Sequence, residues 1–564
     1  MKHRRFLSLL LSSFMIATLL SACNKSGEDS DVTQTNATGT DGQIVTPPPE
    51  ELDWITLTMF VAEPGQGPGP DNEIVKMIEE ETKVKIEFEF VVGDMDSRVG
   101  TMIASGNYPD IIGAGNARSR FMSAGAMIPL QDEIPKYPNL NAHYAPYEKN
   151  RINASPDENI YIMEIWGRYY NEPVVTFYNG PAFWIQKDVL AWDNYSNPTT
   201  LEEFFDLLER YYRANPTIDG QPTLPFEIHS QDWRAFTLFN APQHLVGGFN
   251  DGDVFVHQDT LMAETYQDKD YAKTYFFKLN EMFKKGLINP ATFTDNFDQY
   301  LAKISSGRVL AMFDQQWNFE QAENVLKGDE KYERTYVPLG LTYEGYDQWY
   351  KTTPTFVGGN GIGISVNCKD VHRALLFMDT LLREDLTLLA KWGIEGRDYY
   401  VDDNGRYRRT EEQRKNYDTP QWVVDHGAAR LTNFFPKREG HFDDGNCMSP
   451  GDQTEEILEG QNDYDKAFFS KYGFATGADF LTIANPITPE YAFAWDFPLE
   501  NGSAAEEARA RMQEVQRNQL PRVIMAEDPE AAWTTYMGEW AKTNSQAYVD
   551  FVNEHIAIRM GIDR

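Results

Sequence analysis

Leu20-Ser21-Ala22-Cys23 sets a thiol at the end of a short apolar run, Phe6 to Leu20, which follows Lys2, Arg4 and Arg5. A basic stretch, an apolar core and small residues before a cleavage point make a secretory signal. The run is too short, and too broken by Ser, to span a bilayer, which takes about 20 apolar residues. The four residues match the bacterial lipobox. There the Cys thiol takes a diacylglyceryl group, the peptide is cut before it, and the new N-terminus is acylated. The chemistry expected at Cys23 is lipid attachment. The expected location is the outer face of a cell membrane, with the bilayer as partner.

Elsewhere, reactive patterns are thin. The nine His are scattered, with no H-x-x-x-H or H-E-x-x-H pair. No G-x-S-x-G occurs. "EPGQGPGPDN" (63–72) is Gly-rich, but no Lys-Ser/Thr follows, so it is not a phosphate loop. Cys368 and Cys447 are the thiols left after Cys23, and their spacing leaves pairing open. No cofactor and no metal are expected. A hydrolase of glycosidic bonds would need two carboxylates about 5–9 Å apart. With 86 acidic residues, such a pair can always be imagined, so it has no positive support.

The formal net charge is −35, and removing residues 1–22 takes away three basic residues and no acidic one. That argues against nucleic acid or an anionic lipid surface as an electrostatic partner. Aromatics make up 13% of the chain, with 12 Trp, which leaves room for a stacking surface beyond the core.

The elements that must position any site follow from periodicity. Residues 23–50 are polar and end in Pro47-Pro48-Pro49, so they read as a tether. "WITLTMFVAE" (54–63) and "VKIEFEFVV" (84–92) alternate as strands. "NEIVKMIEEETK", with Asp71 or Asn72 as cap, and "MDSRVGTMIASG" have helical spacing. "YPDIIGAG" closes a β-α-β-α-β order, which implies a parallel sheet covered on both faces. Ligands in such sheets bind beyond the carboxyl ends of strands. The turns after Phe60-Val61 and Ile111-Ile112 are the first places to look. A second α/β stretch opens with "AFWIQKDVL", read as strand, and the helix "NPTTLEEFFDLLERYYRA". "RVLAMFD" (308–314) and "FVGGNGIGISV" (356–366) are further strands.

At this point the chain resembles the extracellular solute-binding proteins of ABC importers, in their sugar-binding family 1. "MIASGNYPDII" (102–112), "GAMIPLQDEI" (125–134), "FWIQKDVLAWDNYSNPTTLEEFFDLL" (183–208), "SSGRVLAMFDQQW" (305–317) and "KWGIEGRDYYVDDNG" (391–405) carry the resemblance, in family order. It implies an α/β, two-lobed, periplasmic-binding-protein-like fold with a hinge and an interlobe cleft. The expected division is a signal at 1–22, the tether at 23–50, and lobe 1 at 51–182. Lobe 2 follows at 183–352, a return to lobe 1 at 353–390, and a C-terminal helical part at 391–564 that completes lobe 2 and hinge. Crossings are expected near Asn179-Gly180 and between Thr353 and Gly359.

The resemblance implies a sugar ligand, and sugar sites combine aromatic platforms with short polar groups. Trp317 leads, because it follows the strand "RVLAMFD" among Gln315, Gln316 and Asn318. Gln316, Asn116, Arg118, Arg120, Glu63 and Gln66 are expected as polar contacts from the strand ends. Asp232, Trp233 and Trp392 are further candidates, each open to a structural role. Members of the family that bind calcium carry a loop where this chain reads "NPTIDGQPTLPFE" (215–227). Asn215, Thr217, Asp219 and Gly220 fit positions one, three, five and six, but position one is uncharged and position twelve is Phe226. The segment is expected to fold without metal. The expected function is capture of an oligosaccharide by a monomer and delivery to the membrane subunits of an ABC permease. A secreted glycoside hydrolase and a peptide-binding or signalling receptor on the same fold remain the alternatives.

Overall fold

The computed structural model describes residues 48–148, 151, 159–171, 176–351, 361–481, 491 and 493–562. Cys23, most of the expected tether and the expected crossing at 353–359 lie outside the described residues.

In chain order, the strands that build two sheets are Ile55–Val61 (β1), Val84–Phe90 (β2), Ile111–Gly113 (β3), Met163–Glu164 (β4), Pro181–Gln186 (β5), Leu224–Glu227 (β6), Val309–Gln315 (β7), Tyr336–Leu339 (β8) and Gly361–Ile364 (β9). The first sheet runs β2-β1-β3-β9-β4. Its β1, β2 and β3 are parallel, and β9 is antiparallel to both β3 and β4. The second sheet runs β8-β5-β7-β6, with β6 and β7 parallel and β5 antiparallel to β7 and β8.

Alternation along β1 serves two cores at once. Leu57, Met59 and Val61 point into one cluster with Ile74, Ile78 and Leu375. Phe60 and Ala62 point into another with Val99, Met102, Ile112 and Phe121. A strand buried on both faces is what helices above and below a parallel sheet require. Those helices start where side-chain caps allow. Asn72 accepts from the Val75 N–H to open Glu73–Thr82, and Asp94 accepts from the Ser97 N–H to open Met95–Ser105.

The second core gathers Phe183, Phe204, Phe226 and Phe313 with Leu520, Trp533 and Ile556 from the C-terminal helices. The helix Leu201–Ala214 opens on a capping box between Thr200 and Glu203. "AFWIQKDVL" is strand only to Gln186, and a short helix begins at Lys187. The ladder ends there, since β8 pairs no further than Tyr336 with Gln186, and the Lys187 ammonium is buried, donating to Thr335 Oγ1 at 2.7 Å and to Asp465 Oδ1 at 2.5 Å. Residues after 390 also divide between the cores. Ala428, Leu431 and Phe435 pack in the first, whereas Phe468, Phe480, Leu520 and Ile556 pack in the second. Among the described residues, no helix is long and apolar enough to cross a membrane.

Candidate functional site

β6 and β7 are parallel and in register, Ala311 beside Phe226 and Met312 beside Glu227, so their carboxyl ends open on one edge. β6 leads through Ile228–Gln231 into the tight turn Asp232–Ala235. β7 leads directly into the helix Gln316–Gly328. This juxtaposition brings Trp233 and Trp317 together. Their rings are parallel within 6°, with centroids 5.8 Å apart. They are 49% and 40% exposed, unusual for side chains of this size. Phe236 flanks both, at 6.2 and 5.8 Å.

The platform is held by charge and by a buried polar floor. The Arg234 guanidinium lies 4.4 Å from the Trp233 ring and 4.1 Å from Phe297, a cation–π contact on each side. Asp232 accepts from the Arg234 N–H at 2.8 Å and from its side chain at 3.3 Å. Burial works against the Asp232 charge, but His229 and Arg234 outweigh it and hold its pKa below the usual value. Arg517 of the helix Ala504–Met525 donates to the Asp232 carbonyl at 3.4 Å. On the other strand, the Trp317 indole N–H donates to Gln315 Oε1 at 2.9 Å. Asp314, fully buried, accepts from Tyr300 O–H at 2.7 Å, from the Gln315 N–H at 2.7 Å and from Asn318 Nδ2 at 3.1 Å. It thereby fixes the first turn on which Trp317 rides. Burial pushes its carboxyl up to about 6, against those donors. An exposed flat apolar surface beside hydrogen-bonding groups can take the C–H face of a ring and its hydroxyls.

The other expected residues are placed differently. Gln316 is buried and donates to Glu323 Oε2 at 3.1 Å, so it serves its own helix and not the platform. Trp392 is also a correction. It is wholly buried among Tyr399 and Tyr407, and its indole N–H donates to the Cys447 carbonyl at 3.0 Å. Arg120 is tied to Asp96 at 2.7 Å and anchors one helix to another. Arg118 reaches into the second core, donating to the Asp496 carbonyl at 2.9 Å. Glu63 and Gln66 are exposed in the loop after β1. Asn116 lies in the turn Gly115–Ala117, and its side chain is outside the described residues. Asp314, His229, Phe236 and Phe297 escaped the sequence, because the fold must first bring Phe236 to Trp317, Phe297 to Arg234 and Tyr300 to Asp314. The sole sequence signal was Asp314 at the strand's carboxyl end.

Residues 215–227 form a hairpin, Thr217–Ile218 against Gln221–Pro222, turned by Asp219 and Gly220 at φ +52° and +74°. Asn215 Nδ2 donates to the Tyr211 carbonyl at 3.2 Å, and Lys331 Nζ stands 3.7 Å from Asp219 Oδ2. Cys368 and Cys447 are free thiols.

Residues 73–394 match the family model described as bacterial extracellular solute-binding protein. The chain is 26% identical over 355 residues to the fructooligosaccharide ABC transporter substrate-binding protein FusA of Streptococcus pneumoniae, and the match spans 60% of each chain. It is 21% identical over 402 residues to the polygalacturonan/rhamnogalacturonan-binding protein YtcQ of Bacillus subtilis, 65% of this chain and 70% of that one. Its fold matches a solved HMO-binding, ABC-transporter-associated solute-binding protein of Bifidobacterium longum infantis. The TM-score is 0.64 at 16% identity, over 90% of this chain and 99% of that one.

Proposed function

We propose a function from one premise: the chain belongs to the bacterial extracellular solute-binding proteins. It captures an oligosaccharide between its lobes at the membrane's outer face and passes it to an ABC permease. The observation that carries this reading is the exposed, parallel Trp233–Trp317 pair at the carboxyl edge of the second sheet. Relatives named for fructooligosaccharide and for polygalacturonan binding support a sugar as ligand. Glu63 and Gln66, beyond β1, supply polar contacts from the first lobe. Diacylglyceryl attachment at Cys23 holds the protein at the membrane.

A glycan-array screen followed by calorimetric titration tests the reading. The expected result is stoichiometric binding of at least one oligosaccharide, which prolonged incubation returns intact. Multiple turnover would make the protein a glycoside hydrolase. Saturable binding of peptides with no glycan bound would make it a peptide receptor.

A further inference from the structure

The Trp233–Trp317 platform belongs to the second sheet, and another indole stands at the matching edge of the first. β3 and β4 are each antiparallel to β9, so β4 runs parallel to β3 and β1. One row across this sheet holds Val61, Gly113, Ile362 and Met163. Beyond that row, at the carboxyl edge, come Glu63 after β1, Asn116 after β3 and Trp166 after β4. Trp166 is 38% exposed.

Alternation fixes the face on which it lies. Ile162 packs with Phe60 and Phe121, whereas Met163 and Ile165 pack with Leu57 and Leu375 on the other side. Glu164 and Trp166 therefore continue the Ile162 face. That face carries the short helix Arg118–Ser123 through Phe121. From this helix Arg118 reaches the second body, its Nη2 donating to the Asp496 carbonyl at 2.9 Å. Ala494 and Phe497, on either side of Asp496, sit in the second core. Trp166 thus occupies the edge and the face that the second body approaches.

The backbone beneath the ring is fixed. The Gly167 N–H donates to Glu439 Oε2 at 2.8 Å, and Tyr169–Tyr170 pairs in parallel with Glu439–Gly440. The Arg168 guanidinium lies 4.2 Å from the Tyr170 ring, and its Nε donates to the His143 carbonyl at 3.2 Å. Other exposed indoles are covered by a cation of their own: Lys83 lies 5.0 Å over Trp54, Arg210 5.9 Å over Trp192 and Arg234 4.4 Å over Trp233. Among the described residues, Trp166 and Trp317 are the exposed indoles without such cover. A large aromatic face on a fixed backbone loses little conformational freedom when a ligand stacks on it.

We propose that Trp166 is the first lobe's stacking surface for the captured oligosaccharide. The proposal rests on the two-lobe capture reading and adds the chemistry of the grip. The first lobe takes an apolar C–H face of the sugar on Trp166, while Glu63 and Gln66 serve hydroxyls beside it. A ligand stacked on indoles from both lobes must offer C–H faces to each, which favours a chain of several sugar rings over a single one.

Oxidative footprinting of the full mature chain with N-bromosuccinimide, read by mass spectrometry, tests this on wild type. The probes are a neutral fructooligosaccharide mixture and an acidic galacturonan digest, in separate arms. The probe that binds is expected to slow modification of Trp166 together with Trp233 and Trp317. Trp54 and Trp192, 49% and 45% exposed, should react at unchanged rates. Calorimetric titration with the same probe supplies the second readout. Trp166→Ala should weaken binding about ten- to a hundredfold, Trp166→Phe should recover much of the loss, and the glycan-free melt of both should match wild type. Protection of Trp233 and Trp317 without Trp166, or unchanged affinity in Trp166→Ala, overturns the proposal and leaves the second-lobe platform standing. If neither probe protects any of the three, the capture reading falls and the proposal with it. Should Trp166→Ala fail to fold, the wild-type footprint decides alone.

Discussion

Trp317 and Trp392 carry the same ring in opposite surroundings. Trp317 is 40% exposed and parallel to Trp233, whereas Trp392 is wholly buried with its indole N–H satisfied by a carbonyl. Stacking of a base on an aromatic side chain is worth about 1–3 kcal/mol, and a sugar ring on indole falls at or below that range. Trp317→Ala and Trp233→Ala should each weaken glycan binding roughly ten- to a hundredfold, at about 1.4 kcal/mol per factor of ten. Neither should shift the glycan-free melt by more than a degree or two. Trp392→Ala should do the reverse, removing about 3–5 kcal/mol of stability. Titration and melting of the three variants check this, and a collapsed melt for Trp317→Ala would take it off the platform. Trp317 was legible because an apolar strand precedes it, so the chain direction alone places it at a sheet edge. Trp392 was not legible, because "KWGIEG" looks the same whether the ring meets water or Cys447.

At the scale of elements, the local signals were strong where the chain decides for itself. Asn72, Asp94 and the Thr200–Glu203 box mark helix starts within a few residues, and each acts on a neighbour three positions away. The break between β5 and the helix at Lys187 was hidden, since the strand ends where its partner β8 ends, at Tyr336 opposite Gln186. The 215–227 segment shows the same division. Its spacing suggested a worn ion loop, and its backbone is a hairpin with two left-handed residues. Gly220 at φ +74° has open space around it, so Gly220→Ala should cost about 1 kcal/mol from backbone strain alone. Asp219→Asn should be nearly neutral, because Asn tolerates the left-handed region. A bound ion at a hundredfold excess over its Kd would add about 2.7 kcal/mol to native stability. With Asn215 engaged by Tyr211 and Lys331 near Asp219, chelator treatment should leave the melting temperature within a degree. A drop of several degrees would restore the segment as an ion site.

The whole molecule combines an expected anchor with two separately packed bodies. Labelled fatty acid should enter the protein through Cys23, and Cys23→Ala should leave the precursor uncut or release protein to the medium. A processed, membrane-bound Ala variant would rule out lipid attachment there. The two bodies set the thermodynamics. Each sheet has its own hydrophobic clusters, and Arg118 joins them through a polar contact with the Asp496 carbonyl. Two cores joined in this way need not unfold as one, since multidomain chains break two-state behaviour. Without glycan, calorimetry should therefore show a measured unfolding enthalpy above the van't Hoff value. A ligand gripped by both lobes changes that, because losing either lobe releases it. At a hundredfold excess over Kd it adds about 2.7 kcal/mol to the native state. For bodies of 150–250 residues, each kcal/mol shifts Tm by about 2–4 °C. Saturation with a bound glycan should therefore raise both transitions by about 5–10 °C and merge them. If only one transition moves, the glycan sits on one lobe alone, and capture between lobes is wrong.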